Sequence, residues 1–208
     1  MLKDMSVKRT TVYFEKPGKE HTEETLRIAL EAARERGIDT VLVSSTTGGT
    51  ALKALDVFKE SGLNLIVVTH QTGYRATGVQ LMPDETRRRL EEEGVKVITC
   101  TDVLTGGVGV GISRQRPPRE APLEARLPNI VPPVNNIIAH TLRLFSQGVK
   151  VCVEIAMMAA DVGVVPVDKR VVSVAGSHAG SDTAMVITPA SSNRLRDLKV
   201  HEILAKPL

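Results

Sequence analysis

The densest chemistry in this sequence lies in the run Ser44-Ser45-Thr46-Thr47-Gly48-Gly49-Thr50. An apolar β-type segment, Thr40-Val41-Leu42-Val43, precedes it, and Ala51, Ala54, Leu55 and Phe58 follow at helical spacing. The order strand, glycine turn, helix leaves backbone N–H groups unpaired where the helix dipole favours negative charge, which makes a seat for phosphate. Gly48 and Gly49 let the backbone come close to an anion, and the Ser and Thr hydroxyls can donate to its oxygens. The same stretch also reads as a bare helix start, because Ser and Thr cap helices and Gly turns chains. It is not a P-loop, since no Lys follows Gly49.

Further candidates lie elsewhere along the chain. His70 opens the polar run His70-Gln71-Thr72-Gly73-Tyr74-Arg75 directly after Leu65-Ile66-Val67-Val68-Thr69. That is the carboxyl edge of a sheet, where α/β proteins bind ligands, although a histidine there is more often a hydrogen-bonding loop residue than an acid or base. Ser177 and His178 sit in a second glycine turn, Gly176 to Thr183, which reads equally well as a hairpin tip. Glu154 lies on a segment, 149–162, that is apolar nearly all round, so its carboxylate must be paired, hydrogen-bonded or protonated. A structural tie is the leading reading, a functional acid the second. Lys53 falls in the first turn after the glycine loop, where it either reaches a bound phosphate or is solvated.

Composition narrows the partners. The chain has 208 residues, enough for one α/β domain spanning 1–208, with a Gly- and Pro-rich loop or insertion at 104–133. Its 27 basic and 24 acidic side chains leave a formal charge of +3, too small to argue for nucleic acid. With no Trp, two Tyr and three Phe, a base-stacking surface is not expected. Cys100 and Cys152 stand far apart with neither zinc nor disulfide spacing, which suits a reduced, cytoplasmic protein without a metal site. No stretch reaches the roughly 18 apolar residues of a membrane span. The chain is compatible with a homo-oligomer.

The elements that must position these residues follow the same rules. Thr11 to Phe14 is a short strand, and Thr22 caps a helix whose stripe is Leu26, Ala29, Leu30 and Ala33, ended by Gly37. Strands are expected at 40–43, 64–69, 95–99, 171–175 and 184–188, the last two as a hairpin that sets one antiparallel member in a parallel sheet covered on both faces. Pro83 opens a helix with a solvated charge run, the glycines from Gly106 to Gly111 form a flexible loop, and 116–133 carries prolines that exclude regular structure. Val134, Ile138, Leu142 and Phe145 mark a helix ending at Gly148. The segment 198–204 is left open between helix and edge strand.

Together, Thr22-Glu23-Glu24-Thr25-Leu26 through Ala33, Thr40 to Val43, Ser44 to Ala51 and Leu65 to Thr69 resemble the C-terminal α/β domain of pyruvate kinase. Gly148 to Ala160, Gly163, and Val171 to Val186 with Gly176, Gly180 and Thr183 look like its closing helix and effector loop. Stand-alone proteins of the pyruvate kinase α/β-domain family are closer still, on His70-Gln71-Thr72-Gly73-Tyr74 and Val151-Cys152-Val153-Glu154-Ile155. The resemblance implies a three-layer α/β/α fold around a five-stranded mixed sheet, order 3-2-1-4-5, strand 5 antiparallel. It implies that the loop 44–50 holds a phosphate, of FMN in the stand-alone proteins or of fructose 1,6-bisphosphate in regulated kinases, and that the loop 176–183 closes over the sugar. Gly49 stands where the kinases carry Arg, the Pro-rich stretch is longer, and the chain is too short to hold the kinase's barrel domain.

The leading expectation is a protein that binds a phosphorylated cofactor or metabolite, FMN first, with enzymatic activity left open. Ser44, Ser45, Thr46, Thr47, Gly48, Gly49 and Thr50 would hold the phosphate, and Thr69, His70, Thr72, Gly73, Ser177 and His178 would line the rest. The alternative is a non-catalytic regulatory module sensing a sugar phosphate or nucleotide. A third reading has His70 working with Asp182 or Glu154 in hydrolysis or group transfer.

Overall fold

The computed structural model of this chain describes residues 6–113 and 132–208. Its centre is a mixed sheet of β1 (Val12–Phe14), β2 (Thr40–Ser44), β3 (Asn64–Thr69), β4 (Lys96–Thr99), β5 (Val171–Ala175), β6 (Thr183–Thr188) and β7 (Lys199–Pro207). The spatial order is β1-β7-β6-β5-β2-β3-β4. Only β6 runs antiparallel to its neighbours, pairing with β5 across the loop 176–182 that sets Ala175 opposite Thr183. The sheet therefore has seven strands and not five. The inner five, β4-β3-β2-β5-β6, stand in the 3-2-1-4-5 order expected for them. The additions are β7, which settles the open segment 198–204 as strand, and β1, which pairs with the far side of β7. They cover the edge that β6 would otherwise leave unpaired, and the edge left over, β1, is only three residues long.

Helices cover both faces. α1 (Thr22–Arg36), α2 (Gly49–Phe58) and α3 (Asp84–Glu92) bury Leu26, Ala29, Ala54, Leu55 and Leu90 against Val41, Val43, Val67, Val172 and Val174. α5 (Val134–Arg143) and α6 (Gln147–Asp161) pack on the opposite face against Leu42, Ile66, Val68, Val171 and Met185. The alternation of Val41, Leu42 and Val43 between the two cores is the period of a strand buried on both sides. Before α5 the chain forms a short helix, α4 (Gly107–Ser113).

Several local expectations are corrected. The glycine run near 106–111 is not loop throughout, since α4 begins at Gly107; the greater part of the Pro-rich stretch lies outside the described residues. Thr22 opens α1 without capping it: its hydroxyl donates to Lys19 O at 2.6 Å and accepts from the Ser181 amide at 3.0 Å, tying α1 to the β5–β6 turn. Gly148 does not end α5 but lies in the first turn of α6, whose cap is Ser146, accepting from Val149 N at 3.0 Å. A Cβ at Gly148 would collide with Thr183, so the glycine is what allows α6 to approach β6. Phe145 falls beyond the end of α5 and is 56 % exposed. Among the described residues no helix is long and apolar enough to cross a membrane.

Candidate functional site

The loop between β2 and α2 is held from below and left open above. Ser45 donates its amide to Val68 O at 3.0 Å, and its hydroxyl accepts from Ala51 N at 3.2 Å. Thr69 Oγ1 donates to Thr46 O at 3.3 Å, so the loop is tied to the end of β3. Gly48 takes φ 93°, a left-handed conformation that glycine adopts without strain, and makes no side-chain cap. A Cβ there would also run into the Thr86 methyl. Among the described residues nothing accepts from the amides of Gly49 and Thr50, the first two residues of α2. These are the unpaired donors that an anion at a helix mouth uses.

Gly49 and Thr50 line a cleft of about 890 Å³ at the carboxyl ends of β2, β3 and β5. Ser44, Ser45, Thr46, Thr47, Gly49 and Thr50 form one wall. Thr69, His70, Ser177 and His178 also line it, joined by Tyr74 and Arg75. Thr72 and Gly73 are not part of the wall, and Gly48 is turned towards Thr86. Gly73 instead closes a local turn, its amide donating to Val79 O at 2.9 Å. The cleft also takes in Lys19, Lys53, Arg75 and Arg143 against Glu20 and Asp102, while Lys150 and Glu154 neutralise each other, so its charge is positive. The half-exposed Lys53 lies on this wall, with Glu23 at 3.9 Å as a weak partner. A smaller cavity, about 390 Å³, opens at the opposite, amino ends of the strands between Thr40, Asn64 and Lys96 and contains none of these groups.

His70 has a partner that the sequence reading did not find. Its Nδ1 lies 2.9 and 3.0 Å from the two carboxylate oxygens of Asp102, a residue only 3 % exposed, just past β4. A carboxylate only accepts, so Nδ1 is the ring nitrogen that carries a proton towards Asp102, and in the neutral ring Nε2 is the one with the lone pair. The ring stacks on Tyr74, centroids 3.9 Å apart and planes within 3°. Neither Asp182 nor Glu154 is hydrogen-bonded to His70. Asp182 accepts from Thr183 Oγ1 at 2.9 Å and from Ser177 N at 3.3 Å, bracing the β5–β6 turn.

Glu154 is a tie. One oxygen accepts from the Leu104 and Thr105 amides, both at 2.9 Å, and from Thr105 Oγ1 at 3.1 Å; the other meets Lys150 Nζ at 2.5 Å. The pair clamps α6 to the loop that carries Asp102. Lys150 was readable from its i, i+4 spacing to Glu154, and Asp102 from its place just past β4, at the sheet edge where His70 follows β3. Burial, aided by Asp102, pushes the Cys100 thiol up to about 11, and burial raises Cys152 further, so neither is a thiolate nucleophile near neutral pH.

No protein-family model matches the chain. The site combines free amides at a helix mouth, a cationic cleft and an oriented imidazole, which is equipment for holding a phosphate and moving a proton beside it.

Proposed function

We propose that the cleft binds a phosphate monoester, with FMN as the leading ligand. The observation that carries this is the pair of unpaired amides at Gly49 and Thr50, opening into a cleft whose other charged groups are mainly Lys and Arg. The fit to FMN rests on three features. The phosphate takes the helix mouth, the cleft volume falls within the roughly 300–1,000 Å³ of ligand pockets, and Tyr74, 40 % exposed, offers an aromatic plane in the wall. The order of the inner five strands supports kinship with the pyruvate kinase α/β domain. Free cysteines and the absence of a spanning helix among the described residues support a cytoplasmic protein.

The test uses Gly49→Asp. Nothing lies within 4 Å of a Cβ at this position, and a carboxylate in the first turn of a helix is favourable, so the variant keeps its fold. Its charge occupies the seat. Wild-type protein is expected to quench free-flavin fluorescence on titration, and Gly49→Asp to bind FMN at least tenfold more weakly at unchanged thermal stability. No FMN or inorganic phosphate binding by the wild type, or equal binding by the variant, removes the proposal. A regulatory module is favoured if fructose 1,6-bisphosphate displaces FMN at lower concentration than inorganic phosphate does, since the Gly176–Gly180 loop lines the same cleft.

A further inference from the structure

We infer that the cleft is hydrolytic: His70, oriented by Asp102, is a general acid–base that cleaves a phosphate monoester held at the mouth of α2. The inference rests on the phosphate seat and extends it from binding to chemistry.

Three observations place the imidazole in the cleft that holds the seat. β2 and β3 pair in parallel with Ser44 opposite Val68, so the loops that leave them, 45–48 and 70–75, start side by side at one edge of the sheet. The Thr69 hydroxyl bonded to Thr46 O joins the two loops at that point. His70 and the Gly49–Thr50 wall line one cleft. Around the ring, Asp102 fixes Nδ1 from the loop after β4, Tyr74 covers one face, and Gln80 Nε2 donates to the His70 carbonyl at 3.1 Å. Nε2 has no partner among the described residues, and the side chain is 30 % exposed. A buried carboxylate behind Nδ1 with a bare Nε2 in a ligand cleft is the arrangement of an oriented base.

The step balances. Nε2 takes one proton from a water as the water oxygen forms a bond to phosphorus and the bond from phosphorus to the ester oxygen breaks. The same proton passes from Nε2 to the departing oxygen, giving an alcohol and inorganic phosphate and restoring the neutral imidazole. The Gly49 and Thr50 amides hold phosphate oxygens throughout. His70 is the catalytic residue and Asp102 a positioning residue.

The probes are p-nitrophenyl phosphate and FMN, with release of inorganic phosphate as the readout. Wild-type protein is expected to turn over at least one of them. His70→Gln should lower kcat on the order of 10²–10⁴-fold, far more than it changes KM. His70→Ala should regain rate with added imidazole, which a structural role does not predict. Asp102→Asn should lower kcat with KM held, because an amide facing Nδ1 no longer selects its protonated form, and Asp102→Glu should restore part of it. If wild-type protein binds FMN and releases no phosphate from either ester, the inference is overturned and the binding proposal stands. Phosphate release that survives His70→Gln also overturns it. Failure to bind FMN or inorganic phosphate removes both.

Discussion

Replacing Lys150 by Met tests whether the clamp behind the dyad is a buried ion pair. The side chains of Lys150 and Glu154 are 4 % and 3 % exposed, so Lys150→Met leaves a carboxylate in the interior without its counter-charge. Breaking one side of such a pair typically costs about 3–5 kcal/mol. Glu154 keeps the Leu104 amide and both Thr105 donors, which places the expected loss at the lower end, about 3 kcal/mol. For a chain of this size that is a fall in Tm of about 6–12 °C. Lys150→Met/Glu154→Gln removes both charges but keeps an acceptor for the two amides, and should recover about half the loss. Lys150→Met/Glu154→Met orphans those amides and should recover less. Thermal melts at neutral pH decide it. A Lys150→Met protein melting within a degree of wild type, or a Gln double variant no better than the single, refutes the reasoning.

The remaining predictions concern backbone and pH. Gly48→Ala forces a side chain into a left-handed conformation and against the Thr86 methyl, so it should lower stability by about 1–3 kcal/mol; adding Thr86→Ser removes only the steric part, which melts of both variants separate. The Arg36 guanidinium, bonded to Glu202 at 2.7 and 2.8 Å, holds that carboxyl below its usual 4.5. The unfolded chain then binds the proton more readily, so the bridge contributes fully above that value and is lost as pH falls through the lowered one. A comparison of wild type with Glu202→Gln should show a Tm gap, worth about 1 kcal/mol, that is constant from pH 5 to 7 and closes on acidification. A gap that widens in acid contradicts this.

Much of the scaffold was legible because its signals are local. The Val41-Leu42-Val43 run, Gly37 at the end of α1 and the glycine turn into α2 each depend on residues a few positions apart, and each forms where expected. The segment 198–204 was ambiguous because Val200, Ile203 and Leu204 also suit a helix; it became part of β7 because β6 and β1 stand on either side of it. Thr22 looked like a cap, and its hydroxyl is instead claimed by the β5–β6 turn, far away in the chain. Thr72 and Gly73 were grouped with His70 by proximity in sequence, yet the turn from Gly73 to Val79 draws them off the cleft wall.

By itself, the sequence determined the strand–turn–helix unit that ends in free amides, because backbone geometry at Gly48 and the periodicity around it are short-range properties. Which carboxylate stands behind His70 was decided only by tertiary structure. Asp102, Asp182 and Glu154 are all buried acids near the cleft, and the choice among them follows from β4 lying beside β3 in register. Strand order and register are set by burial of both sheet faces across the whole chain, so no local pattern around His70 could carry that information.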